Sequence, residues 1–204
     1  MKRVLFCLVF LLIGMPYGFS QLRYEVSGGI NTSKYAGSSM KSKWGYQFGA
    51  ALFYTLSNKK VYIHPSIQVK TNGGKFDGYS GNEKDPYKYT QNAVFLDILP
   101  IRVGYSLYRT KDVNLGIEAG WYIAHGIGGK TKSTLILPDK TIKEERNTFE
   151  DESVWFDMGP TTSISCVLLN HYTLHLFGEW GLIDSPGGYS SKSHTYGLSV
   201  GYIF

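Results

Sequence analysis

Charged and imidazole side chains recur at alternate positions within stretches that are otherwise apolar or small, and these groups could carry acid–base chemistry. They are Glu25, Asp97, Glu118, Asp157, Glu179, Arg23, Arg102, His64 and His175. One interpretation is an enzyme in which a carboxylate and a histidine act as base and acid. The other is a charge network that fills a narrow interior where water is scarce. Because no Ser/His/Asp spacing accompanies these residues, we favour the network and expect no catalytic residue and no enzyme activity.

Histidine and glycine spacings give no sign of a metal or cofactor site. His171 and His175 are four residues apart, as on one face of a helix, but they fall in a predicted turn and a predicted strand. Gly126–Gly129 follows a strand and opens no helix, so we interpret it as a loop and not as a phosphate-binding turn. Cys166 lies on an apolar strand face, where cysteine is usually inert filler. The sequence therefore predicts no cofactor and no metal ligand.

The elements that position these groups are β-strands, because the hydrophobic pattern has a period of two residues. In residues 44–56 the even positions are apolar or aromatic, whereas the odd positions are mostly small or polar. The same alternation runs through the segments 23–31, 44–56, 61–70, 93–107, 113–123, 154–168, 172–182 and 196–204. Eight strands, an even number, predict an all-β, eight-stranded antiparallel up-and-down transmembrane β-barrel.

The fourth predicted strand breaks the alternation once. Leu96 and Ile98 are even-numbered, whereas Leu99, Ile101, Val103 and Tyr105 are odd-numbered. A β-bulge at Ile98–Pro100 would shift the parity by one residue, and proline is accepted at such a place. The bulge would return Asp97 and Arg102 to the polar face.

The short connection at 108–112 predicts the register of the fourth and fifth strands. If Leu107 opposes Val113, every apolar residue meets an apolar one across the pair. The same register places Arg102 directly opposite Glu118, within reach of an ion pair.

The connections between strands alternate in length. Segments 32–43, 71–92, 126–153 and 183–195 are long and polar, whereas 57–60, 108–112 and 169–171 are short. Long loops at one end and short turns at the other are typical of outer membrane barrels, with the long loops outside the cell and both termini in the periplasm.

The composition of the two faces predicts which one contacts lipid. A soluble, lipocalin-like barrel would also alternate, but with its apolar residues inside. Here the polar face is rich in glycine and serine, which suits the inside of a narrow barrel. Tyrosine and tryptophan cluster toward the strand ends, where interface girdles lie. We therefore expect lipid-facing Val103 to reject charge and lumen-facing Gly104 to tolerate alanine more easily.

Residues 1–20 have the pattern of a secretory signal. Lys2 and Arg3 precede the apolar run Val4–Ile13, which is too short to span a bilayer, and Gly18 and Ser20 supply a cleavage site before Gln21. The barrel domain is then 21–204. The remaining lysines are scattered, so nucleic acid is not an expected partner.

Four segments, in order, resemble motifs of the PorT-like outer membrane β-barrel family. Phe95–Tyr105 is similar to a Leu-Glu-Ile-Pro run with one residue added before the proline, and Ile117–Ile123 to an Ala-Gly-aromatic strand. Phe156–Gly159 is similar to an Asp-x-Gly strand start, and Tyr196–Phe204 to the terminal strand. The resemblance covers nearly all of 21–204. It implies a barrel in the outer membrane, the barrel-assembly machinery as a partner, and an envelope or secretion partner.

Three classes of function remain open on the sequence. The preferred one is a structural, assembly or interaction protein of the cell envelope without catalytic activity. The second is a narrow channel, which is disfavoured because side chains nearly fill an eight-stranded interior. The third is a soluble exported carrier of apolar ligands.

Overall fold

The computed structural model describes residues 22–56, 60–80, 85–97, 101–149, 156–184 and 192–204. These ranges form the β-strands β1 (Leu22–Ala36), β2 (Lys41–Thr55), β3 (Val61–Ser80), β4 (Asp85–Asp97), β5 (Ile101–Arg109), β6 (Val113–Ile136), β7 (Thr141–Asn147), β8 (Phe156–Leu168), β9 (Tyr172–Asp184) and β10 (Lys192–Ile203). Within them, no helix is long and apolar enough to cross a membrane. The predicted signal, 1–20, lies outside the described residues.

The strands form the eight walls of a closed antiparallel barrel. Each wall pairs with its neighbours along the chain, and β1 pairs with β10, with Glu25 opposite Ile203, to close the ring. β4 and β5 share one wall between β3 and β6. β7 stands outside the ring and pairs with the last residues of β6. The predicted eight-stranded, up-and-down antiparallel barrel is confirmed.

The shared wall of β4 and β5 contains one extra residue. Asp97 lies opposite Gln68 and Ile101 opposite Pro65, so three residues of this wall face two of β3. The partners on β6, Ala124 and Trp121, give the same excess. Residues 98–100, where the bulge is predicted, lie outside the described residues. Asp97 and Arg102 both point into the barrel, as predicted, where Asp97 contacts Lys70 and Arg102 contacts Glu118.

The register of β5 and β6 differs from the predicted one. Arg102 lies opposite Gly120, and Glu118 opposite Gly104, so the prediction is wrong by two residues. The connection is tighter than assumed, since the backbone N–H of Thr110 donates to the carbonyl of Val113, and the register shifts once more between Ser106 and Tyr108. An error of two residues leaves every side chain on its predicted face.

The barrel has apolar residues outside and polar residues inside. Large outward-facing side chains are strongly exposed, such as Phe48 (64%) and Val200 (60%). Fully buried side chains include the charged or polar Glu25, Lys70 and Asn31. This arrangement is the reverse of that in a soluble barrel, so the predicted facing is confirmed.

Lumen-facing glycines leave room for aromatic rings. A Cβ at Gly104 would lie 2.1 Å from Cζ of Tyr62, and one at Gly197 would lie 2.4 Å from Cζ of Phe177. Alanine at Gly104 therefore has a packing cost that its lumen-facing position alone did not indicate, because the ring of Tyr62 on the neighbouring strand already occupies the space.

The predicted long loops are largely strands. β3 runs on to Ser80 and β4 starts at Asp85, within the predicted loop 71–92. β6 and β7 likewise fill much of 126–153, and β1 and β2 enter 32–43. Gly126–Gly129 lies within β6, where the register shifts opposite Val94 and Phe95, and is not a loop. The alternation fades here because both faces of the extended sheet meet water. The predicted short turns 108–112 and 169–171 are confirmed, whereas most of the third, 57–59, lies outside the described residues.

Candidate functional site in the barrel lumen

All nine charged or imidazole residues named from the sequence lie on the lumen face of their strands. Arg23 lies apart from the others near the short-turn end, with its guanidinium 5.9 Å from the centroid of the Phe53 ring. The other eight form two groups with distinct partners. We call the first the histidine cluster (Glu25, His64, Arg102, Glu118 and His175) and the second the lysine cluster (Gln68, Lys70, Asp97, Tyr122, Asp157 and Glu179).

Two histidines lie between two carboxylates in the histidine cluster. Nε2 of His64 is 3.3 Å from Oε2 of Glu25, and Nδ1 of His64 is 3.3 Å from Oε1 of Glu118. Nε2 of His175 is 3.3 Å from Oε1 of Glu25, and its Nδ1 is 4.0 Å from Oε1 of Glu118. Arg102 reaches Glu118 from the side, with 3.5 Å between Nη1 and Oε2. The residues come from five strands, which the closed barrel brings together.

Neutral side chains hold the two carboxylates of the histidine cluster in place. The Tyr62 hydroxyl donates to Oε1 of Glu118 at 3.0 Å, and the Thr173 hydroxyl donates to Oε1 of Glu25 at 2.8 Å. Phe53 stacks on His64 with 3.9 Å between ring centroids. Such contacts fix the side chains, because each buried oxygen or ring has a neighbour that defines its position.

The lysine cluster is built around Lys70, which was not among the candidate site residues predicted from the sequence. Lys70 is 1% exposed; its Nζ is 2.9 Å from Oδ2 of Asp97 and also contacts Glu179. Gln68 donates to Oδ2 of Asp97 at 2.8 Å, and the Tyr122 ring centroid is 4.4 Å from the ammonium group. Lys70 lies on the polar parity of its strand, which was the signal that could have identified it.

Tyr122 links the lysine cluster to Asp157. Its hydroxyl donates to Oδ2 of Asp157 at 2.9 Å, and the backbone N–H of Met158 donates to Oδ1 of the same carboxylate at 2.9 Å. Each cluster therefore combines buried carboxylates with a cation or imidazoles, which offset the cost of enclosing the charges.

The geometry offers little that a hydrolytic enzyme needs. Ser165 shares a hydrogen bond of 2.8 Å with Tyr62 rather than with a histidine. Cys166 faces outward, between Leu115 and Leu174 on the neighbouring strands. A cavity of about 10 Å³ adjoins Glu25, His64 and His175, which is room for about one water molecule. The arrangement suits binding of a small ion or a proton better than binding of an organic substrate.

The two histidines that are four residues apart lie in different places. His171 lies in the turn before β9 and contacts the carbonyl oxygen of Ile203 through Nδ1 at 2.9 Å, whereas His175 lies in the lumen. The prediction that one falls in a turn and the other in a strand is confirmed.

A second candidate surface lies beyond the barrel, where parts of β3, β4, β6 and β7 continue as a four-stranded sheet. All residues of β7 are exposed. Glu145 on β7 contacts Lys130 at 2.5 Å and Lys132 at 3.0 Å, and these ammonium groups lower the pKa of the Glu145 carboxyl. The surface is thus ordered by ladder hydrogen bonds and covered by charged side chains.

A groove of about 750 Å³ marks the outer wall of the barrel. It forms where the outward residues Ala119, Thr162 and Gly178 lie in one row across β6, β8 and β9. Its apolar flanks, among them Ile117 and Leu176, suit an acyl chain of the surrounding bilayer.

One family model matches most of the chain, and several solved structures are similar to it. The family model described as outer membrane protein beta-barrel domain matches residues 12–187. The attachment invasion locus protein Ail of Yersinia pestis, solved with the heparin analogue sucrose octasulfate, is similar at 14% identity over 90% of this chain and 99% of that chain, with a TM-score of 0.42. Neisserial surface protein A is similar at 10% identity, over 92% and 99%, with a TM-score of 0.42. The outer membrane enzyme PagL is similar at 11% identity, over 87% and 97%, with a TM-score of 0.43. No protein with a curated description matches the chain.

Proposed function

The chain belongs to the outer membrane protein beta-barrel domain family, and from that premise we propose that it is a non-catalytic interaction protein of the outer membrane. The observation that carries the proposal is the four-stranded sheet beyond the barrel. β3 and β6 are 20 and 24 residues long, about twice what a tilted membrane-spanning strand needs. The excess length builds a surface in water.

We propose that this sheet lies outside the cell and that both chain termini lie in the periplasm. The short turns, the first residues of β1 and the last residues of β10 lie at the opposite end of the barrel from the sheet, as is usual for outer membrane barrels. The exposed charges of β7 prevent indiscriminate strand pairing. They also provide polar groups that a protein or polysaccharide partner can recognise.

The alternative functions have less support. A channel would need an open lumen, but Lys70 and Arg102 lie across the interior with their carboxylate partners. A soluble carrier would need its apolar side chains inside, whereas Phe48 and Val200 point outward. Catalysis would need a substrate pocket beside the histidine cluster, where the cavity has room for about one water.

Within the family, we propose a relationship to the PorT-like proteins. The support is the order and spacing of the motifs in Phe95–Tyr105, Ile117–Ile123, Phe156–Gly159 and Tyr196–Phe204. On this proposal residues 1–20 are a cleaved signal, and the barrel-assembly machinery inserts the chain. The four-stranded sheet beyond the barrel then binds an envelope or secretion partner.

Site-specific photo-crosslinking tests the interaction proposal in intact cells. A photoreactive residue replaces Lys143, which is exposed on β7, and a matched one replaces Lys111 in the short turn at the other end. We expect adducts with an envelope protein or surface polysaccharide from position 143 that do not form from position 111. Identical adduct patterns from the two positions, or none from position 143, would contradict the proposal.

A further inference from the structure

Three metal-ligand side chains converge in the histidine cluster. Glu25, His64 and His175 each offer one donor atom, and these atoms all lie within 4.8 Å of one another. Their side chains are only 1%, 1% and 3% exposed. They come from β1, β3 and β9, so no spacing along the chain reveals them. This is why the sequence predicted no metal site.

The donor atoms lie close together, and three of them have no hydrogen-bond partner. Nε2 of His64 lies 3.3 Å from Oε2 of Glu25, and Nε2 of His175 lies 3.3 Å from Oε1 of the same carboxylate. Both Nε2 atoms and Oε2 of Glu25 make no hydrogen bond to any described residue. Orphaned buried polar atoms are rare and need an explanation. In a tetrahedral zinc site with metal–nitrogen bonds of about 2.0–2.1 Å, neighbouring ligand atoms are about 3.3 Å apart.

A second carboxylate lies behind the His64 imidazole. Nδ1 of His64 lies 3.3 Å from Oε1 of Glu118, and an Nδ1–H tautomer would donate there and leave the Nε2 lone pair free toward Glu25. Arg102 and Tyr62 hold Glu118 in turn. A carboxylate behind a ligand histidine is the usual outer-shell partner of metal-binding imidazoles.

We propose that Glu25, His64 and His175 bind a zinc-type divalent transition-metal ion inside the barrel. Two imidazoles and one carboxylate form a ligand set that zinc accepts, with an open fourth position. Imidazole favours such ions over magnesium and calcium, which prefer oxygen ligands. The adjoining cavity of about 10 Å³ has room for about one water molecule as the fourth ligand. The bound ion joins β1, β3 and β9 across the lumen.

The competing explanation is a metal-free network in which protonated imidazoles bridge Glu25 and Glu118. It predicts the same distances but no affinity for metal. Metal binding by the wild-type barrel distinguishes the two explanations, because only the proposed site has affinity for metal.

The experiment uses the barrel purified in detergent without a polyhistidine tag, stripped with EDTA and folded with Zn²⁺ or Co²⁺ present. We expect about one tightly held zinc per barrel after gel filtration, as in a closed three-ligand site. We also expect intense visible absorption from Co²⁺ in four- or five-fold coordination. A wild-type barrel without bound metal, or one with only the weak bands of six-coordinate Co²⁺, would overturn the proposal.

Variants assign the ligands. His64→Gln and Glu25→Gln should reduce bound zinc to background, and Glu118→Gln should weaken binding by about 10–100-fold. His194→Gln is the matched control, because His194 lies opposite Trp180 on the outer face and should leave binding unchanged. Heat-modifiable migration on a gel verifies that each variant has folded. Undiminished zinc in folded His64→Gln would show binding elsewhere and reject the site.

Discussion

The Nη1 nitrogen of Arg102 lies 3.5 Å from Oε2 of Glu118, although the two residues are diagonal neighbours on β5 and β6 and not opposite ones. Long side chains can bridge a diagonal pair. Glu118 is fully buried, and Arg102 is 12% exposed. The guanidinium is therefore a permanent charge that offsets the cost of enclosing the Glu118 carboxylate.

Replacing Arg102 should destabilise the barrel through the carboxylate that remains. We expect Arg102→Gln to lower the free energy of unfolding by about 1.5–3 kcal/mol, the usual range for hydrogen bonds to charged groups. Urea unfolding in lipid vesicles measures the change. Adding Glu118→Gln should recover part of the loss, because the uncompensated charge is then gone. Lys111→Gln in the exposed short turn is the control, and a loss as large there would show that the Arg102 effect is not specific.

Lys70 should be the more sensitive cation, because it is enclosed with two carboxylates. Lys70→Met leaves Asp97 and Glu179 without a counter-ion, and we expect a loss of about 3–5 kcal/mol in the free energy of unfolding. Lys75→Met, on an exposed position of the same strand, should change stability little. Unfolding of the two variants in urea provides the comparison. Equal stability of Lys70→Met and wild type would mean that the buried ion pairs are not formed.

The faces of the strands were predictable from sequence, whereas the contacts in the lumen were not. Alternation records which side chains point inward, so Glu118, His64 and Asp97 were all assigned to the lumen. Which of them meet depends on how the strands are staggered around the closed barrel. Lys70 and Glu179 are 109 residues apart, and neither strand's own pattern encodes that stagger.

The four-stranded sheet beyond the barrel was not predicted from the sequence, for a related reason. Alternation identifies a strand only where one face meets lipid and the other a polar interior. Beyond the membrane both faces meet water, so residues such as Lys88 and Glu144 resemble a loop in sequence although they lie in strands. The ladder hydrogen bonds that continue these strands do not depend on side-chain type, and composition therefore cannot reveal them.

Val103 tests which face contacts lipid. Its side chain points outward and is 52% exposed. We expect Val103→Arg to cost about 2–4 kcal/mol if the residue lies near the bilayer midplane. Folding into vesicles, followed by heat-modifiable migration, measures the effect, with Val103→Leu as the control. If Val103→Arg folded as well as the wild type, Val103 would have to face the lumen and not lipid.

Gly104 tests how tightly the lumen is packed. An alanine Cβ at this position would lie 2.1 Å from Cζ of Tyr62, so we expect Gly104→Ala to cost about 1–3 kcal/mol through overpacking. Gly128→Ala is a matched control, because a Cβ there meets no atom within 4 Å. Urea unfolding of both variants makes the comparison. If the two alanines proved equally harmless, Tyr62 would have to lie elsewhere in the folded barrel.

Phe204 should matter more for assembly than for stability. It follows β10, its side chain is 70% exposed, and its backbone N–H donates to the carbonyl of Tyr24 at 2.9 Å. Deleting it removes that hydrogen bond, worth about 0.5–1.5 kcal/mol, but leaves the pairing of Ile203 with Glu25 in place. On the proposal that the barrel-assembly machinery inserts the chain, we expect it to recognise the aromatic residue that follows β10. The deletion should then strongly reduce the amount of folded barrel in cells. Export should be intact, and unassisted folding into vesicles should change little.

Phe204→Tyr keeps the ring and should assemble normally. Normal levels of folded barrel in cells after the deletion would mean that Phe204 has no role in assembly. An equally large defect in vesicles would mean that the deletion lowers stability instead.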